Sequence, residues 1–461
     1  MTTEVLERSA PARRRRPHAL LPPPCPAAPA FTPTALAFDA ALATAGQAAV
    51  LAKLPAFFTN PSHRSFLLTG AAGTGKTWTT CEIVRALLAA GYRVIVTATT
   101  NKAVRVQRAN ASRVSCPRAR EAFARTITIS RFLHRKRLTH QSGNPSAREQ
   151  RDLGLDADAV LRRRVYVPAG IASGEDTVVI VDEVSMLSPR DADLMVERCP
   201  KVLFIGDRHQ LPPVAVPDWL GRQTPDAELT EVMRQAAGSG IALFGQAVRE
   251  CGHAGALAAG PIDFSDVGDL RGRAWDKELG PDGLVGLDMI LAHQNSTCGA
   301  ANVMAVQARF PGWLPGDPPP VGAQLFSHEA YVVGERVVVG KACQLEVLEV
   351  LGDARSGWFS GWRLRLRNID EGGEVVVPCL AAIFAGLAYQ KTAREKGAIE
   401  HGMAEIGFGY ALTVHKSQGS EWPNVLLIDD HHRARDGEQF RRWLYTGVTR
   451  AKSLLLYARA C

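Results

Sequence analysis

Residues 70–77 read Gly-Ala-Ala-Gly-Thr-Gly-Lys-Thr, and this glycine-rich stretch constrains the fold more than any other part of the chain. It follows the apolar run Phe66-Leu-Leu68 and precedes apolar residues at helical spacing, which predicts a strand, a loop and a helix. In such a loop, backbone N–H groups turn inward around phosphates, and a Cβ on the loop glycines would block that approach. Lys76 offers a charge to the β and γ phosphates, and Thr77 offers a hydroxyl to Mg²⁺. The predicted nucleoside triphosphate site consists of Gly70, Ala71, Ala72, Gly73, Thr74, Gly75, Lys76 and Thr77.

An acidic pair marks the end of a second predicted strand. Val178 to Val181 is a continuous apolar run, as in a buried parallel strand, and Asp182-Glu183 follows it. Asp182 is suited to hold Mg²⁺, directly or through water, and Glu183 to polarise the water that attacks the γ-phosphate. An acidic pair alone is equally typical of a helix N-terminus, and the phosphate loop upstream favours the functional interpretation.

A third apolar run, Val202 to Ile205, leads into a loop that contains Gln210. A strand that ends at the same sheet edge would aim Gln210 at the nucleotide, where it could sense the γ-phosphate. Hydrolysis also needs cations opposite the charge of the transition state, and Arg234 and Arg450 are the candidates. Each arginine alone is also consistent with an ordinary surface residue.

The composition predicts a soluble chain of about three domains without a membrane partner. Hydrophobic residues make up 46% of its 461 residues, and no apolar run approaches the ~20 residues that span a bilayer. The nine cysteines are scattered, odd in number and form no C-x-x-C pair. We therefore expect reduced thiols in the cytoplasm, with neither structural zinc nor disulfides.

The charge is concentrated in two segments of a chain whose formal net charge is +8. Residues 102–137 hold eleven Lys or Arg against one acid, Glu121, which indicates either a polyanion partner or a solvated basic face. Residues 1–35 hold Arg13 to Arg16 and eight prolines. We predict that this second segment is a disordered tail, because its composition cannot bury a core.

Taken together, the ordered motifs resemble the superfamily 1 helicases and, within them, the RecD/Dda-like branch. The resemblance covers nearly everything from residue 36 to the C-terminus. The motifs that carry it are, in chain order, Gln47, the loop 70–77, Thr97 to Ala103, Thr128 to Leu133, Asp182 to Met186, Gly206 to Pro213, Leu229 to Gln235, Ala292 to Asn295 with Asn302, Tyr410 to Glu421, and Tyr445 to Lys452.

The resemblance implies an α/β fold with two RecA-like P-loop motor domains, each built on a parallel sheet, with ATP and Mg²⁺ bound in the cleft between them. By the same resemblance, Gln47 contacts the adenine edge and Glu421 reaches the ribose. Gln210, Arg234 and Arg450 line the γ-phosphate, and opening and closing of the cleft moves the protein along a strand.

The expected DNA contacts are less specific. Short hydroxyls and amides after strands suit phosphate oxygens, and flat proline surfaces suit stacking on any base. Trp219 is either a further stacking surface or a core aromatic. The predicted DNA-binding residues are Thr97, Thr99, Asn101, Thr128, Pro212, Pro213, Thr413 and His415.

Two insertions complete the expected organisation. The resemblance places a duplex-splitting pin in the first insertion, where Tyr166 is either the wedge or a packing residue of a short strand. The second has alternating runs such as Arg363-Leu-Arg-Leu-Arg367, which predict a sheet with one solvated face. The predicted domains are the tail 1–35, motor domain 1A at 36–222 with the pin insertion near 134–172, motor domain 2A at 223–330 and 405–461, and the SH3-like β insertion 2B at 331–404.

The expected function is an ATP-dependent DNA helicase that translocates on single-stranded DNA, with the 5′ to 3′ direction implied by the resemblance. Its expected partners are single-stranded DNA, duplex junctions, and replication or recombination proteins, and we expect a monomer. Two alternatives stay open. One is an ATP-gated clamp or recombination accessory without strong unwinding, and the other is an RNA helicase, because backbone contacts distinguish the sugar weakly.

Overall fold

Two parallel sheets organise the protein, and a third, antiparallel sheet packs beside the second. The computed structural model describes residues 35–140, 162–168, 174–214, 216–231, 239–258, 266–333, 336–356, 359–370, 372–385, 402–431 and 437–459. The tail predicted at 1–35 therefore lies almost entirely outside the described residues, as does Arg234.

The first unit carries the phosphate loop. Its helices are α1 (Ala45–Thr59), α2 (Lys76–Ala89), α3 (Asn101–Asn110), α4 (Pro117–Ala124), α5 (Ile129–Leu133) and α6 (Pro189–Arg198). Its strands are β1 (Ser65–Gly70), β2 (Arg93–Ala98), β3 (Ile127–Thr128), β4 (His134–His140), β5 (Arg162–Pro168), β6 (Thr177–Asp182), β7 (Lys201–Gly206) and β8 (Ala227–Leu229).

The first sheet has the order β3-β2-β6-β7-β1-β8, and every pair in it is parallel. The apolar run Val178 to Val181 is completely buried, as predicted for a parallel strand covered on both faces. Because parallel strands end at one edge, the loop after β1, the acids after β6 and the loop after β7 meet there. β8 pairs with β1, so the first unit extends beyond the predicted boundary at residue 222.

The second unit repeats this architecture without a glycine-rich loop in its described part. Its sheet has the order β18-β10-β19-β20-β9, again parallel throughout. The strands are β9 (Val267–Asp269), β10 (Met289–Ala292), β18 (Ala411–Thr413), β19 (Trp422–Asp429) and β20 (Ala451–Arg459). The helices are α7 (Gly240–Ala258), α8 (Trp275–Val285), α9 (Asn295–Arg309), α10 (Val414–Ser417) and α11 (Glu438–Val448).

The antiparallel sheet, called here the β insertion, has the order β16-β15-β14-β11-β17. It comprises β11 (Gln324–Ser327), β14 (Gln344–Ser356), β15 (Phe359–Asn368), β16 (Glu374–Leu380) and β17 (Ile406–Phe408), with β12 (Tyr331–Val333) and β13 (Arg336–Val339) as a separate hairpin. Since β11 and β17 belong to this sheet, it extends past both predicted limits, 331 and 404. The alternation in β15 is as predicted: Leu364 and Leu366 are buried, and Arg363, Arg365 and Arg367, which alternate with them, are exposed.

An antiparallel hairpin leaves the first unit in the insertion predicted near 134–172. β4 pairs with β5 along their full length, and Tyr166 lies opposite Lys136. Trp219 packs against Phe204 with ring centroids 4.9 Å apart, which favours the core interpretation of that tryptophan. Within the described ranges, no helix is both long and apolar enough to cross a membrane.

Candidate active site

A cleft of about 820 Å³ lies where the two units and the β insertion meet. Its volume falls within the range of ligand sites, which is roughly 300–1,000 Å³. The predicted residues that line it are Ala72, Gly73, Gly75, Lys76, Thr77, Asp182, Glu183 and Gln210 from the first unit, and Glu421 and Arg450 from the second. Tertiary structure thus brings together residues that are widely separated along the chain.

The phosphate loop forms the predicted turn between β1 and α2. Gly73 and Gly75 have φ values of 81° and 82°, in the left-handed region that favours glycine. Gly70 has a different reason, because a Cβ there would lie 2.6 Å from Thr74 Oγ1. The loop's own geometry therefore requires glycines, in addition to the room for phosphates that the sequence argument invoked.

Lys76 lies across the mouth of this loop. Its Nζ donates hydrogen bonds to the carbonyl oxygens of Gly70 and Ala71, at 2.7 and 2.8 Å. The ammonium group is therefore held beside the inward-facing backbone, where a phosphate would need a positive charge.

Glu183 adopts a backbone conformation that is unusual for its residue type. Its φ of 56° and ψ of 46° lie in the left-handed region, which for a residue with a Cβ costs on the order of 1–3 kcal/mol. Thr99 Oγ1 donates a hydrogen bond of 2.9 Å to the Glu183 carbonyl oxygen and so helps to hold the turn. Such strain is typical of functional sites, where the surrounding structure fixes a side chain in one direction.

The two carboxyl groups at the end of β6 lie in an environment that resists a second negative charge. Burial, followed by the charge of Glu183, raises the pKa of Asp182 to about 7, and Lys76 and a hydrogen bond from Gln107 oppose this rise. Burial also raises the pKa of Glu183, against the charges of Arg450 and Lys76. One opposing cation comes from each unit, so the acids depend on both walls of the cleft.

Arg450 belongs to the second unit and is 3% exposed. Its guanidinium donates to the Thr446 and Ser420 carbonyl oxygens and to Thr449 Oγ1, at 2.9 to 3.0 Å. Nearby, Lys452 Nζ lies 3.6 Å from Glu421 Oε2. The arginine is thus fixed by its own unit and faces the acids of the other.

Helix α11 of the second unit holds the Gln210 loop of the first. Tyr445 Oη donates to Asp207 Oδ2 and accepts from the Ala72 N–H, both at 2.8 Å. Thr446 Oγ1 accepts from the Leu211 N–H at 3.0 Å. Between these contacts Gln210 is buried at the cleft, and its Oε1 has no hydrogen-bond partner among the described residues.

Several residues that the sequence predicts to contact the nucleotide do not line the cleft. Gln47 Oε1 accepts from the Thr44 N–H at 3.0 Å in a capping box that starts α1, and the cleft lining of the described chain does not include it. Gly70, Ala71 and Thr74 belong to the phosphate loop, but they too are absent from the described lining of the cleft.

Most of the predicted DNA-binding side chains make internal hydrogen bonds. The prediction that the Thr97 side chain contacts DNA is wrong. Thr97 is completely buried, and its hydroxyl donates to the Ile180 carbonyl oxygen at 3.0 Å. Thr128 and Thr413 cap the starts of α5 and α10. Asn101 Nδ2 contacts the Lys341 carbonyl oxygen at 3.4 Å, across to the β insertion.

The other members of that set differ in exposure. Thr99 supports Glu183, as described above, and Pro212 and Pro213 are half-buried. Burial, with smaller contributions from His293 and His431, lowers the pKa of His415 to about 4. At neutral pH this histidine is therefore uncharged and offers no cation to a phosphate.

Sequence reasoning missed three features of the cleft. Tyr445 was part of a recognised motif but had no assigned role. Gln107 lies outside every recognised motif, and no local sequence pattern distinguishes it. Lys102 is 4% exposed, with its Nζ 4.9 Å from the Phe326 ring and 5.4 Å from that of Trp422. Burial lowers the pKa of Lys102 to about 7.

Comparison with known proteins finds two family models and a curated relative that match this chain. The model of an AAA domain matches residues 43–260, and that of a UvrD-like helicase C-terminal domain matches residues 408–456. The first match extends from the first unit into α7 of the second, and the second match begins at the end of β17 and continues through the second unit. The ATP-dependent RecD2 DNA helicase of Deinococcus radiodurans is 28% identical over 403 residues, which is 85% of this chain and 46% of the relative.

Over most of its length the chain is therefore similar to a RecD-type helicase. It spans about half the length of the curated relative it matches. A structure of two coordinating Pif1 helicases at forked duplex DNA is 15% identical with a TM-score of 0.47, and covers 90% of this chain and 91% of its own. Bacteroides Pif1 bound to single-stranded DNA is 14% identical with a TM-score of 0.44 and the same coverage. Likenesses at this level carry no argument about the function of this chain.

Proposed function

We propose that this chain is an ATP-dependent DNA helicase that moves 5′ to 3′ along single-stranded DNA. The observation that carries the proposal is the composition of the cleft. Lys76 and the acids Asp182 and Glu183 lie on the first unit, and Arg450 faces them from the second. ATP bound there would touch both units, so its hydrolysis would alter the contact between them.

Each cleft residue has a role that follows from its chemistry. Lys76 and Arg450 would stabilise the negative charge of the transferring phosphoryl group from opposite sides. Glu183, held in one direction by its strained backbone, would polarise the attacking water. Gln210 would sense the γ-phosphate, and Glu421 would reach the ribose. Gln47 at the adenine and Arg234 at the γ-phosphate stay predictions of the family resemblance.

The residues at the acidic end of the cleft fit a magnesium ion. Thr77 offers a hydroxyl and Asp182 a carboxylate, and both are hard oxygen donors that suit Mg²⁺. The described residues contain no cluster of three or more His, Cys, Asp or Glu arranged for a metal. Mg²⁺ sites at triphosphates rarely need one, since one or two protein groups with phosphate and water oxygens suffice. When bound, the ion would neutralise charge that develops on the phosphate oxygens.

The contacts of α11 supply a physical link from hydrolysis to movement. A change at the γ-phosphate that shifts Gln210 must also shift Asp207 and Leu211, which flank it in the loop. Both are bonded to the second unit, through Tyr445 and Thr446. The loop would thus transmit the nucleotide state to the relative position of the two units.

DNA would run along the outer surface of both units, and the β4–β5 hairpin would serve as the pin that separates the strands. Among the predicted contacts, Asn101, Thr128, Pro212, Pro213, Thr413 and His415 stay candidates, together with the backbone groups near them. Tyr166 stays a candidate wedge.

The decisive experiment compares two partial duplexes, one with a 5′ and one with a 3′ single-stranded overhang, alongside ATP hydrolysis with and without single-stranded DNA. We expect DNA-stimulated hydrolysis and strand release from the 5′ overhang only. Release from the 3′ overhang only would contradict the direction. Stimulated hydrolysis without release from either substrate would favour the ATP-gated clamp, and matched RNA substrates test the RNA alternative.

Two substitutions with a control variant, and one deletion, connect these activities to the residues proposed for them. Lys76→Ala and Glu183→Ala should abolish stimulated hydrolysis, whereas Lys277→Ala, at an exposed lysine on α8, should leave it intact. Deletion of residues 138–165 should preserve hydrolysis and remove unwinding if the hairpin is the pin. Full unwinding by the deletion variant would contradict that assignment.

A further inference from the structure

Gln107 is a buried amide with one hydrogen-bonded end and one free end. It lies on α3 with 2% of its surface exposed, and its Nε2 donates a hydrogen bond to Asp182 Oδ2. Its Oε1 has no hydrogen-bond partner within the described ranges. The side chain contributes to the wall of the cleft.

Packing alone does not explain an amide at this position. The buried positions one turn earlier on α3, Ala103 and Val104, are apolar and pack together, and an apolar residue of similar size would fill the same space. A buried acceptor without a donor costs free energy, because the group gave up its hydrogen bonds to water. Such groups in a cleft therefore point to a partner that the protein itself does not supply.

The hydrogen bond engages one oxygen of the proposed metal ligand. With Oδ2 of Asp182 held by Gln107, the carboxylate cannot rotate freely, so this hydrogen bond fixes the direction in which the carboxylate would meet a cation. Partners that orient metal ligands in this manner typically change metal affinity 10- to 100-fold when they are removed.

We propose that Gln107 is a positioning residue for a divalent cation in the cleft. Its Nε2 fixes Asp182, and its Oε1 would accept a hydrogen bond from water that accompanies the cation. This inference rests on the proposed function and adds to it a residue outside the motifs that carried the resemblance.

Mn²⁺ binding measured by electron paramagnetic resonance, in the full chain saturated with ADP, tests this directly. Gln107→Leu and Gln107→Met remove both ends of the amide while keeping its bulk, and we expect 10- to 100-fold weaker Mn²⁺ binding in each. ADP affinity in the presence of EDTA should be unchanged, which a general loss of structure would not allow. In ATP hydrolysis, the Mg²⁺ concentration for half-maximal rate should rise, and excess Mg²⁺ should restore most of kcat.

Asn110→Ala is the matched control. Asn110 is a buried amide one turn further along α3 whose Nδ2 also lacks a described partner, and it makes no described hydrogen bond to Asp182. We expect wild-type Mn²⁺ affinity in this variant. Wild-type affinity in both Gln107 variants, or an equal loss in Asn110→Ala, would overturn the role of Gln107. Failure of the wild-type protein to bind ADP with Mn²⁺ would instead overturn the proposed function, and this inference with it.

Discussion

One strand in each of the two parallel sheets ends in an acidic pair, and the two pairs have different surroundings. In the first unit an apolar strand ends in Asp182 and Glu183, and in the second the apolar strand β19 ends in Asp429, followed by Asp430. Asp430 accepts from the backbone N–H groups of His293 and Gln294, at 2.7 and 2.9 Å. The second pair is satisfied by its own unit, whereas the first has raised pKa values and faces the cleft. Asp182 keeps a hydrogen bond from Gln107, so the contrast is in where the acids lie: the first pair lines the cleft, and the second is held by backbone N–H groups.

The largest expected effect is in the first unit. Glu183→Gln keeps the size of the side chain but removes the base, so we expect kcat for ATP hydrolysis to fall by ~10²–10⁴-fold. The melting temperature should not fall, because removing one charge from two adjacent acids relieves repulsion. Steady-state hydrolysis and thermal unfolding of the same preparation check both. A variant with normal kcat would remove Glu183 from the mechanism.

The same kind of substitution in the second unit should affect stability instead of activity. Asp430→Asn weakens two charge-assisted hydrogen bonds to backbone N–H groups, and we expect a loss of about 1.5–3 kcal/mol in the free energy of unfolding. Urea unfolding measures this loss, and hydrolysis per folded molecule should be unchanged. If Asp430→Asn instead lost hydrolysis at full stability, the contrast between the two pairs would not hold.

Acidic pH should also lower the stability of the second unit. His415 binds its proton near pH 4 in the folded chain, against about 6.5 in an unfolded one. Between these values the unfolded state holds the extra proton, so stability falls as the pH falls from about 6.5 to 4, with a slope below ~1.4 kcal/mol per pH unit because part of the side chain is solvated. Thermal unfolding across this range should show a shallower slope for His415→Asn. Equal slopes would show that other groups dominate.

The smallest expected effect is a difference in KM for ATP between variants of two buried tyrosines of the second unit. Tyr445→Phe removes the hydroxyl that joins Asp207 to Ala72, at a cost of about 0.5–1.5 kcal/mol, which should appear as a roughly 2- to 10-fold rise in KM for ATP. Tyr457 Oη bonds Asp429 within its own unit at 3.3 Å, so Tyr457→Phe should lower stability without changing KM. A common effect of both variants on KM would mean that the contact between units is not the cause.

The basic segment 102–137 illustrates why the sequence left alternatives open. Arg105 pairs with Asp370 of the β insertion at 3.0 Å, and Lys102 is buried against aromatic rings. Other arginines bind carbonyl oxygens of their own unit, namely Arg108 at Thr126, Arg118 at Leu88 and Arg120 at Val114. Much of this charge therefore has structural partners, which come from parts of the chain that no local pattern identifies.

What the sequence determined by itself was the chemistry carried by contiguous residues. The glycine-rich loop, the buried strands and the alternating β15 follow from short-range rules of backbone geometry and burial, and these predictions agree with the structure. The tertiary structure decided which acids line the cleft, that Gln47 belongs to a helix capping box while Gln107 bonds Asp182, and that Tyr445 joins the two units. These outcomes depend on hydrogen-bond partners from distant segments, and only folding brings such partners within reach.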